Sequence, residues 1–121
     1  MIISRVILKN WRNFRNADVH IGRRMFIVGP NASGKSNFLD AFRFLRDLVK
    51  PGGGLQESVF DRGGISKIRC LAARQEPQIE IEVHLSENAQ SDTPKWKYAV
   101  GLIQQSRGYR QPYLMFEKVW K

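Results

Sequence analysis

A glycine-rich octapeptide lies between two apolar segments of this sequence and reads Gly29-Pro30-Asn31-Ala32-Ser33-Gly34-Lys35-Ser36. It fills every fixed position of the pattern G-x-x-x-x-G-K-S/T. The apolar run at residues 25–28 precedes it and is typical of a strand buried on both faces. Residues 33–49 follow with the apolar periodicity of a helix. The order strand, glycine-rich loop and helix is the context in which this pattern binds phosphate groups.

Each fixed position of the octapeptide has a physical role in holding a chain of phosphates. Gly29 and Gly34 allow backbone angles and a close approach that a Cβ atom would prevent. The loop N–H groups and the helix N-terminus favour phosphate oxygens. Lys35 adds a positive charge, and the Ser36 hydroxyl is a ligand for Mg²⁺. The alternative is an ordinary strand-to-helix turn with a solvated lysine, which the surrounding sequence disfavours.

The helix predicted over residues 33–49 is amphipathic. Its apolar stripe consists of Phe38, Phe42, Leu45 and Val49, widened by Leu39, Ala41 and Leu48. Its solvent face consists of Asp40, Arg43, Arg46, Asp47 and Lys50. Pro51 and the three glycines at 52–54 predict its end, because proline cannot continue a helix and glycine permits a left-handed exit.

Most other segments predict strands, at residues 2–9, 14–21, 67–73, 78–85, 96–104 and 113–120. At 78–85 the alternation places Ile79, Ile81, Val83 and Leu85 in the core and Glu80, Glu82 and His84 in water. The last two strands flank a turn and predict a hairpin. The expected fold is α/β, a P-loop NTPase lobe with one main helix and a mostly antiparallel sheet. Residues 1–121 are expected to form a single N-terminal nucleotide-binding lobe, with strands and phosphate loop at 1–50 and a β-rich part at 67–121.

The charge of the chain is strongly positive and unevenly distributed. The 121 residues carry a formal net charge of +9, and residues 1–50 hold ten basic but only three acidic residues. A basic half suits an anionic partner, either nucleotide phosphates or a nucleic-acid backbone, although a solvated surface explains charge equally well. The single cysteine, Cys70, excludes an internal disulfide and a multi-cysteine zinc site. No apolar run is long enough for a membrane span, so we expect a cytoplasmic protein without a membrane partner.

A family resemblance adds the identity of the nucleotide. The run Ile7-Leu8-Lys9-Asn10-Trp11-Arg12-Asn13-Phe14-Arg15 is followed by a predicted strand, the octapeptide and Asn37-Phe38-Leu39-Asp40-Ala41. This arrangement resembles the N-terminus of the SMC/RecF/RecN branch of ABC-type ATPases, and of the related ATPases of the overcoming-lysogenization-defect type. The resemblance covers roughly residues 1–50; the remainder agrees only in being rich in predicted β-strands.

The resemblance implies that ATP and Mg²⁺ are the cofactors. It places Arg12 near the nucleotide, where its fork suits phosphate oxygens, and Asn31 along the loop toward the γ-phosphate. The alternative for Arg12 is a structural role at the strand turn or a position in solvent. The expected nucleotide-binding set is Arg12, Gly29, Asn31, Ala32, Ser33, Gly34, Lys35, Ser36 and Asn37, with Ser36 also on the metal.

The same resemblance implies partners and a cellular role. Such ATPases pair two heads around sandwiched ATP, so a homodimer or a partner head is expected, with DNA as a further partner. Their roles lie in DNA metabolism or phage defence. The alternatives are a non-catalytic module that holds nucleotide or DNA phosphate without cleaving it, and a small P-loop kinase.

The sequence also departs from the family. It has no apolar run that ends in Asp-Glu (the Walker B motif), no Leu-Ser-Gly-Gly-like signature and no evident switch histidine. Gln104 and Gln105 adjoin a predicted turn and are poor candidates for the Q-loop glutamine. No catalytic residue is therefore identified. We expect an incomplete ATPase head, the first lobe of a larger or split protein, and ATP hydrolysis only in the full-length protein.

Overall fold

The computed structural model describes residues 2–21, 35–70, 77–88, 93–104 and 111–121. The strands in these ranges are β1 (Ile2–Trp11), β2 (Phe14–His20), β3 (Ile79–Ser86), β4 (Trp96–Gln104) and β5 (Pro112–Trp120). The helices are α1 (Lys35–Val49), α2 (Leu55–Asp61) and α3 (Ile65–Ile68). The strand predicted at 25–28 and helix residues 33–34 lie outside these ranges. No helix in the described part of the chain is long and apolar enough to cross a membrane.

The five strands form one sheet in the order β2-β1-β3-β4-β5, and every neighbouring pair is antiparallel. β4 and β5 form the predicted hairpin. The alternating pattern explains the register, because one face of each central strand supplies the core. Leu8 of β1 lies opposite Ile81 of β3, which lies opposite Val100 of β4. All three are at most 1% exposed, so the mostly antiparallel sheet of the expected α/β fold is confirmed.

Helix α1 packs on this core face through a stripe that overlaps the predicted one. Phe38 and Ala41 are buried as expected, and Phe42, Leu45 and Leu48 are partly buried against the core. Phe44 is buried although it was not expected to be, whereas Val49 is 78% exposed. The side that was expected in solvent carries Asp47, which is only 8% exposed. The prediction was wrong about Asp47 because the guanidinium of Arg62, at the C-terminal end of α2, neutralises this carboxylate. The periodicity of α1 does not reveal that contact.

The segment after α1 corrects two further predictions. One main helix was expected, yet residues 55–61 form a second helix, α2; residues 67 and 68, expected in a strand, belong to α3. Both helices are too short for a clear helical period. Gly54 and Gly64 precede them with φ angles of 106° and 97°, a backbone region that favours glycine.

One outward-facing residue of β3 is also buried, contrary to the sequence pattern. His84 is 5% exposed, and its Nε2 atom lies 2.6 Å from Oε2 of Glu82. β3 is the central strand of the sheet, so neighbouring strands cover its side chains on both sides. The alternation of apolar and polar residues predicts which face of the sheet a side chain is on. It does not predict how much of that side chain is covered by residues of the adjacent strands.

Candidate functional site

The turn between β1 and β2 is fixed to the first turn of α1. The indole Nε1 of Trp11 donates to the carbonyl oxygen of Asn37 at 2.8 Å. The Nδ2 atom of Asn37 donates to Oδ1 of Asn13 at 3.1 Å. Trp11 is fully buried and packs on Phe44 with ring centroids 5.2 Å apart. The turn is therefore held at the helix end that follows the glycine-rich octapeptide.

The backbone of this turn is held by residues 68–70. The amide of Arg12 donates to the carbonyl of Ile68 at 2.6 Å, and the amide of Cys70 donates to the carbonyl of Asn10 at 2.9 Å. Asn10 and Arg12 have φ angles of 58° and 55°, an uncommon region for residues other than glycine. Such a conformation persists when the surrounding contacts enforce it.

The expected nucleotide-binding residues divide into two groups. Five of them lie outside the described ranges: Gly29, Asn31, Ala32, Ser33 and Gly34. The other group lies at the start of α1 and at the β1–β2 turn. Lys35 is the first residue of α1, Ser36 is exposed beside it, and Asn37 is half-buried against the turn. Arg12 is brought to this end of α1 from the turn.

The Arg12 side chain is engaged with the helix. Its Nη2 atom lies 2.7 Å from Oδ2 of Asp40, and its guanidinium lies 5.7 Å from the centre of the Trp11 ring. The contact of Nη1 with the carbonyl of Lys67 is long, at 3.5 Å. Its buried Nε atom has no hydrogen-bond acceptor within the described ranges. Arg12 thus has one short ionic contact and further N–H groups to offer.

Arg62 links Asp40 to Asp47. Its Nε and Nη2 atoms donate to the two carboxylate oxygens of Asp40 at 3.0 and 3.1 Å. Nη2 also donates to Asp47 at 3.1 Å. Burial favours the neutral form of both acids, but hydrogen bonds from Arg62 and other basic side chains outweigh it. They hold the pKa of Asp40 below its usual value and lower the pKa of Asp47 to about 2.

These lowered pKa values predict a loss of stability in acid. A carboxyl whose pKa is lower in the folded state stabilises the protein above its unfolded pKa, and that contribution is lost as the pH falls through the folded value. We expect the free energy of unfolding to fall between about pH 4 and pH 2, where Asp47 becomes protonated. Urea unfolding measured across this range tests the expectation.

Two variants control the acid experiment. Asp47→Asn should be less stable at neutral pH and should have a shallower acid dependence, because the titrating group is gone. Asp61→Asn, at an exposed position of α2, should follow the parent profile. An Asp47→Asn profile as steep as the parent's would contradict the role assigned to this carboxyl.

A basic groove adjoins the turn and the start of α1. It has a volume of about 550 Å³ and is lined by Arg12, Asn13, Asn37, Ser66, Lys67, Arg69 and Cys70. Three of these side chains are basic and none is acidic. Amide and guanidinium donors in a concave site suit an anion with several oxygens. Sequence reasoning identified Arg12 and Asn37 but missed Lys67 and Arg69, because they are distant in sequence and follow no motif.

Other candidate groups do not form a second site in the described ranges. Glu80 lies 3.7 Å from Nζ of Lys9, and Oε2 of Glu82 lies 2.6 Å from Nε2 of His84, so both acids are engaged with neighbouring side chains on the sheet. No cluster of three or more His, Cys, Asp or Glu residues suited to a metal occurs among the residues that were searched. The role of Ser36 as a ligand of Mg²⁺ stays a prediction; the residue is exposed at the start of α1.

The sequence is similar to that of known proteins. Residues 24–114 match the family described as "AAA domain, putative AbiEii toxin, Type IV TA system". Endonuclease GajA from Bacillus cereus is 36% identical over 67 residues, which cover 55% of this chain and 12% of that protein. DNA replication and repair protein RecF from a Synechocystis species is 32% identical over 87 residues, which cover 70% and 23%. The chain thus spans less than a quarter of the length of these two relatives.

A solved structure has the same fold. It comes from a study of ATP-driven dimerization and DNA-stimulated activation of SMC ATPases, and superimposes with a TM-score of 0.57 at 20% identity. The match covers 95% of this chain and 70% of that one. The resemblance inferred from the octapeptide and the β1–β2 turn is confirmed. The chain belongs to this AAA domain family and is similar to the N-terminal region of SMC/RecF-type P-loop ATPases.

Proposed function

We propose that this chain binds ATP with Mg²⁺ at the N-terminal end of α1. The observation that supports this most strongly is the attachment of the β1–β2 turn to the first turn of the helix. That attachment brings Arg12 and the basic groove to the end of α1 where the octapeptide ends. A phosphate chain there meets the helix N-terminus, which favours negative charge.

In this proposal the chain's own groups have separate roles. The octapeptide, with Asn31, Ala32 and Ser33 between its glycines, would bind the phosphates through its backbone N–H groups. Lys35 neutralises the β- and γ-phosphates, and Ser36 holds the metal. Asn37 fixes the β1–β2 turn, which presents Arg12. Bound Mg²⁺, held by the Ser36 hydroxyl, would reduce the negative charge of the phosphates.

Thermal unfolding with and without Mg-ATP tests the proposal. A ligand that binds only the folded state adds about 2.7 kcal/mol of stability at a hundred times its Kd. We expect a saturable rise in Tm that requires Mg²⁺ and is absent with adenosine, which lacks phosphates. An unchanged Tm at millimolar Mg-ATP would contradict nucleotide binding by this chain.

Arg12→Ala should weaken binding of Mg-ATP. Loss of one hydrogen bond between a guanidinium and a phosphate costs about 1–3 kcal/mol of binding free energy. Isothermal titration of the variant measures this directly. Arg43→Ala removes an exposed arginine from α1 and should bind like the parent. If Arg12→Ala also binds like the parent, Arg12 has only its structural role at the turn.

We propose that the full-length protein hydrolyses ATP, pairs two heads through the nucleotide and acts in DNA metabolism or phage defence. The relatives support this, because they include a DNA replication and repair protein and an endonuclease. The structural neighbour's study concerns ATP-driven dimerization and DNA-stimulated activation of SMC ATPases. The basic groove offers no base-reading motif, so DNA contacts would be made chiefly to phosphates.

The 121-residue chain alone should turn ATP over at a negligible rate. Hydrolysis needs a carboxylate near the metal and a group that orients water, besides the phosphate loop. Glu80 and Glu82 are engaged on β3, on the sheet face opposite Leu8 and α1. A phosphate-release assay, with Lys35→Ala as the background, measures the rate. Turnover that depends on Lys35 without an added partner would mean that this chain already carries a catalytic carboxylate.

A further inference from the structure

Arg12 and Arg62 share one carboxylate but are held to very different extents. Arg12 makes one short contact, from Nη2 to Oδ2 of Asp40 at 2.7 Å. Arg62 makes four hydrogen bonds: two to Asp40, one to Asp47 and one to the carbonyl of Ser58 at 3.0 Å. Its side chain is 9% exposed and lies 5.2 Å from the centre of the Phe44 ring. Arg62 is therefore a fixed part of the core, and Asp40 is fixed with it.

The position of Asp40 determines where the Arg12 guanidinium lies. Asp40 is four residues beyond Ser36 on α1, a distance of about 6 Å along the helix axis. Arg12 lines the basic groove, with Asn13 and Asn37 beside it. A guanidinium has five N–H groups in a planar fork, so one can remain on Asp40 while others point elsewhere. Contact with Asp40 and contact with a phosphate are thus compatible.

We propose that Asp40 and Arg62 are positioning residues for Arg12: Arg62 fixes the Asp40 carboxylate, and Asp40 orients the Arg12 guanidinium toward the phosphate chain of bound ATP. The proposal rests on the proposed ATP site and extends it to two residues outside the phosphate loop. Because Arg62 also neutralises Asp40, that carboxylate stays paired while Arg12 contacts phosphate. Orientation in advance reduces the conformational entropy that Arg12 loses on binding.

Asp47 offers a matched control. It accepts a hydrogen bond from the same Nη2 atom of Arg62 and is also buried, but its ion pairs are with Arg46, Lys50 and Arg62. Asp47→Asn and Asp40→Asn each leave Arg62 with one carboxylate. The two variants should therefore lose similar stability, and only Asp40→Asn should disturb Arg12.

Isothermal titration with Mg-ATP tests the proposal in the parent, Arg12→Ala, Asp40→Asn, Asp47→Asn and the Arg12→Ala/Asp40→Asn double variant. We expect Asp40→Asn to lower the affinity about tenfold, the effect of one misplaced charged hydrogen bond. Asp47→Asn should stay within about twofold of the parent. The double variant should bind no more weakly than Arg12→Ala. Unchanged or tighter binding by Asp40→Asn, or an equal loss in the Arg12→Ala background, would overturn the proposal.

A measurement without nucleotide separates this proposal from the proposed function. The solvent-exchange rate of the Arg12 Nε–H can be followed by NMR in the parent and in the two Asn variants. We expect faster exchange in Asp40→Asn and no change in Asp47→Asn. Equal rates in all three would refute the orienting role even where ATP binds. If the parent fails to bind ATP while Asp40→Asn frees Arg12, the proposed function fails and the hold of Asp40 on Arg12 stands.

Discussion

Replacement of Lys35 by alanine is expected to abolish measurable binding of Mg-ATP to this chain. Lys35 is the lysine of the octapeptide and the first residue of α1. In the proposed site, its ammonium group would provide the point charge that the β- and γ-phosphates require. We expect at least about a hundredfold loss of affinity, since each hydrogen bond to a charged group contributes about 1.5–3 kcal/mol.

The fold should survive this change, because alanine is the residue most favourable to a helix. Circular dichroism and the Tm of Lys35→Ala should match those of the parent. Lys50→Ala is the matched control: it removes a lysine just beyond the other end of α1, about 22 Å away along the helix axis. Binding by Lys35→Ala as tight as that by Lys50→Ala would remove the basis for a phosphate loop.

Replacement of Phe44 by alanine is expected to destabilise the fold by about 3–5 kcal/mol, the usual range for deleting a buried phenylalanine. Phe44 is 0% exposed and lies where α1, β1 and the C-terminal end of α2 meet. It packs on Trp11 of β1, and Arg62 lies over its ring. A cavity at this position would remove the surface that supports the β1–β2 turn and the Asp40–Arg62 pair together. Chemical denaturation measures the effect.

Phe60→Ala provides the control for Phe44→Ala. Phe60 belongs to α2 and is 78% exposed, so its truncation should change the unfolding free energy by less than about 0.5 kcal/mol. Both changes delete the same atoms, and only burial differs. Equal effects from the two variants would mean that α1 is not packed on the sheet through Phe44.

Strand β3 was predictable because apolar and polar residues alternate along it. Residues such as Ile79 and Ile81 repeat every second position, and the structure buries both completely on one face of the sheet. The stripe of α1 was less predictable. Phe42 and Phe44 are both apolar, and which of them is fully buried depends on the side of α1 that faces the sheet. Asp47 could be assigned to the buried side only with knowledge of Arg62, which is fifteen residues away in sequence.

The candidate site was predictable to the extent that it follows a local motif. The octapeptide, Ser36 and the position of Arg12 after β1 can be read from contiguous residues. The Arg12–Asp40–Arg62 arrangement cannot, because its members are separated by 28 and 22 residues and meet only in the folded chain. Lys67 and Arg69 could not be predicted as part of the groove for the same reason, because only the folded positions of α3 and its C-terminal end bring them there.

Calorimetric titration of the 121-residue chain with Mg-ATP tests the central claim, that the octapeptide and the β1–β2 turn together form a nucleotide site. We predict saturable binding of one nucleotide per chain, which disappears in Lys35→Ala and is weakened in Arg12→Ala. The absence of saturable heat with the folded parent chain, or binding that Lys35→Ala retains in full, would contradict it.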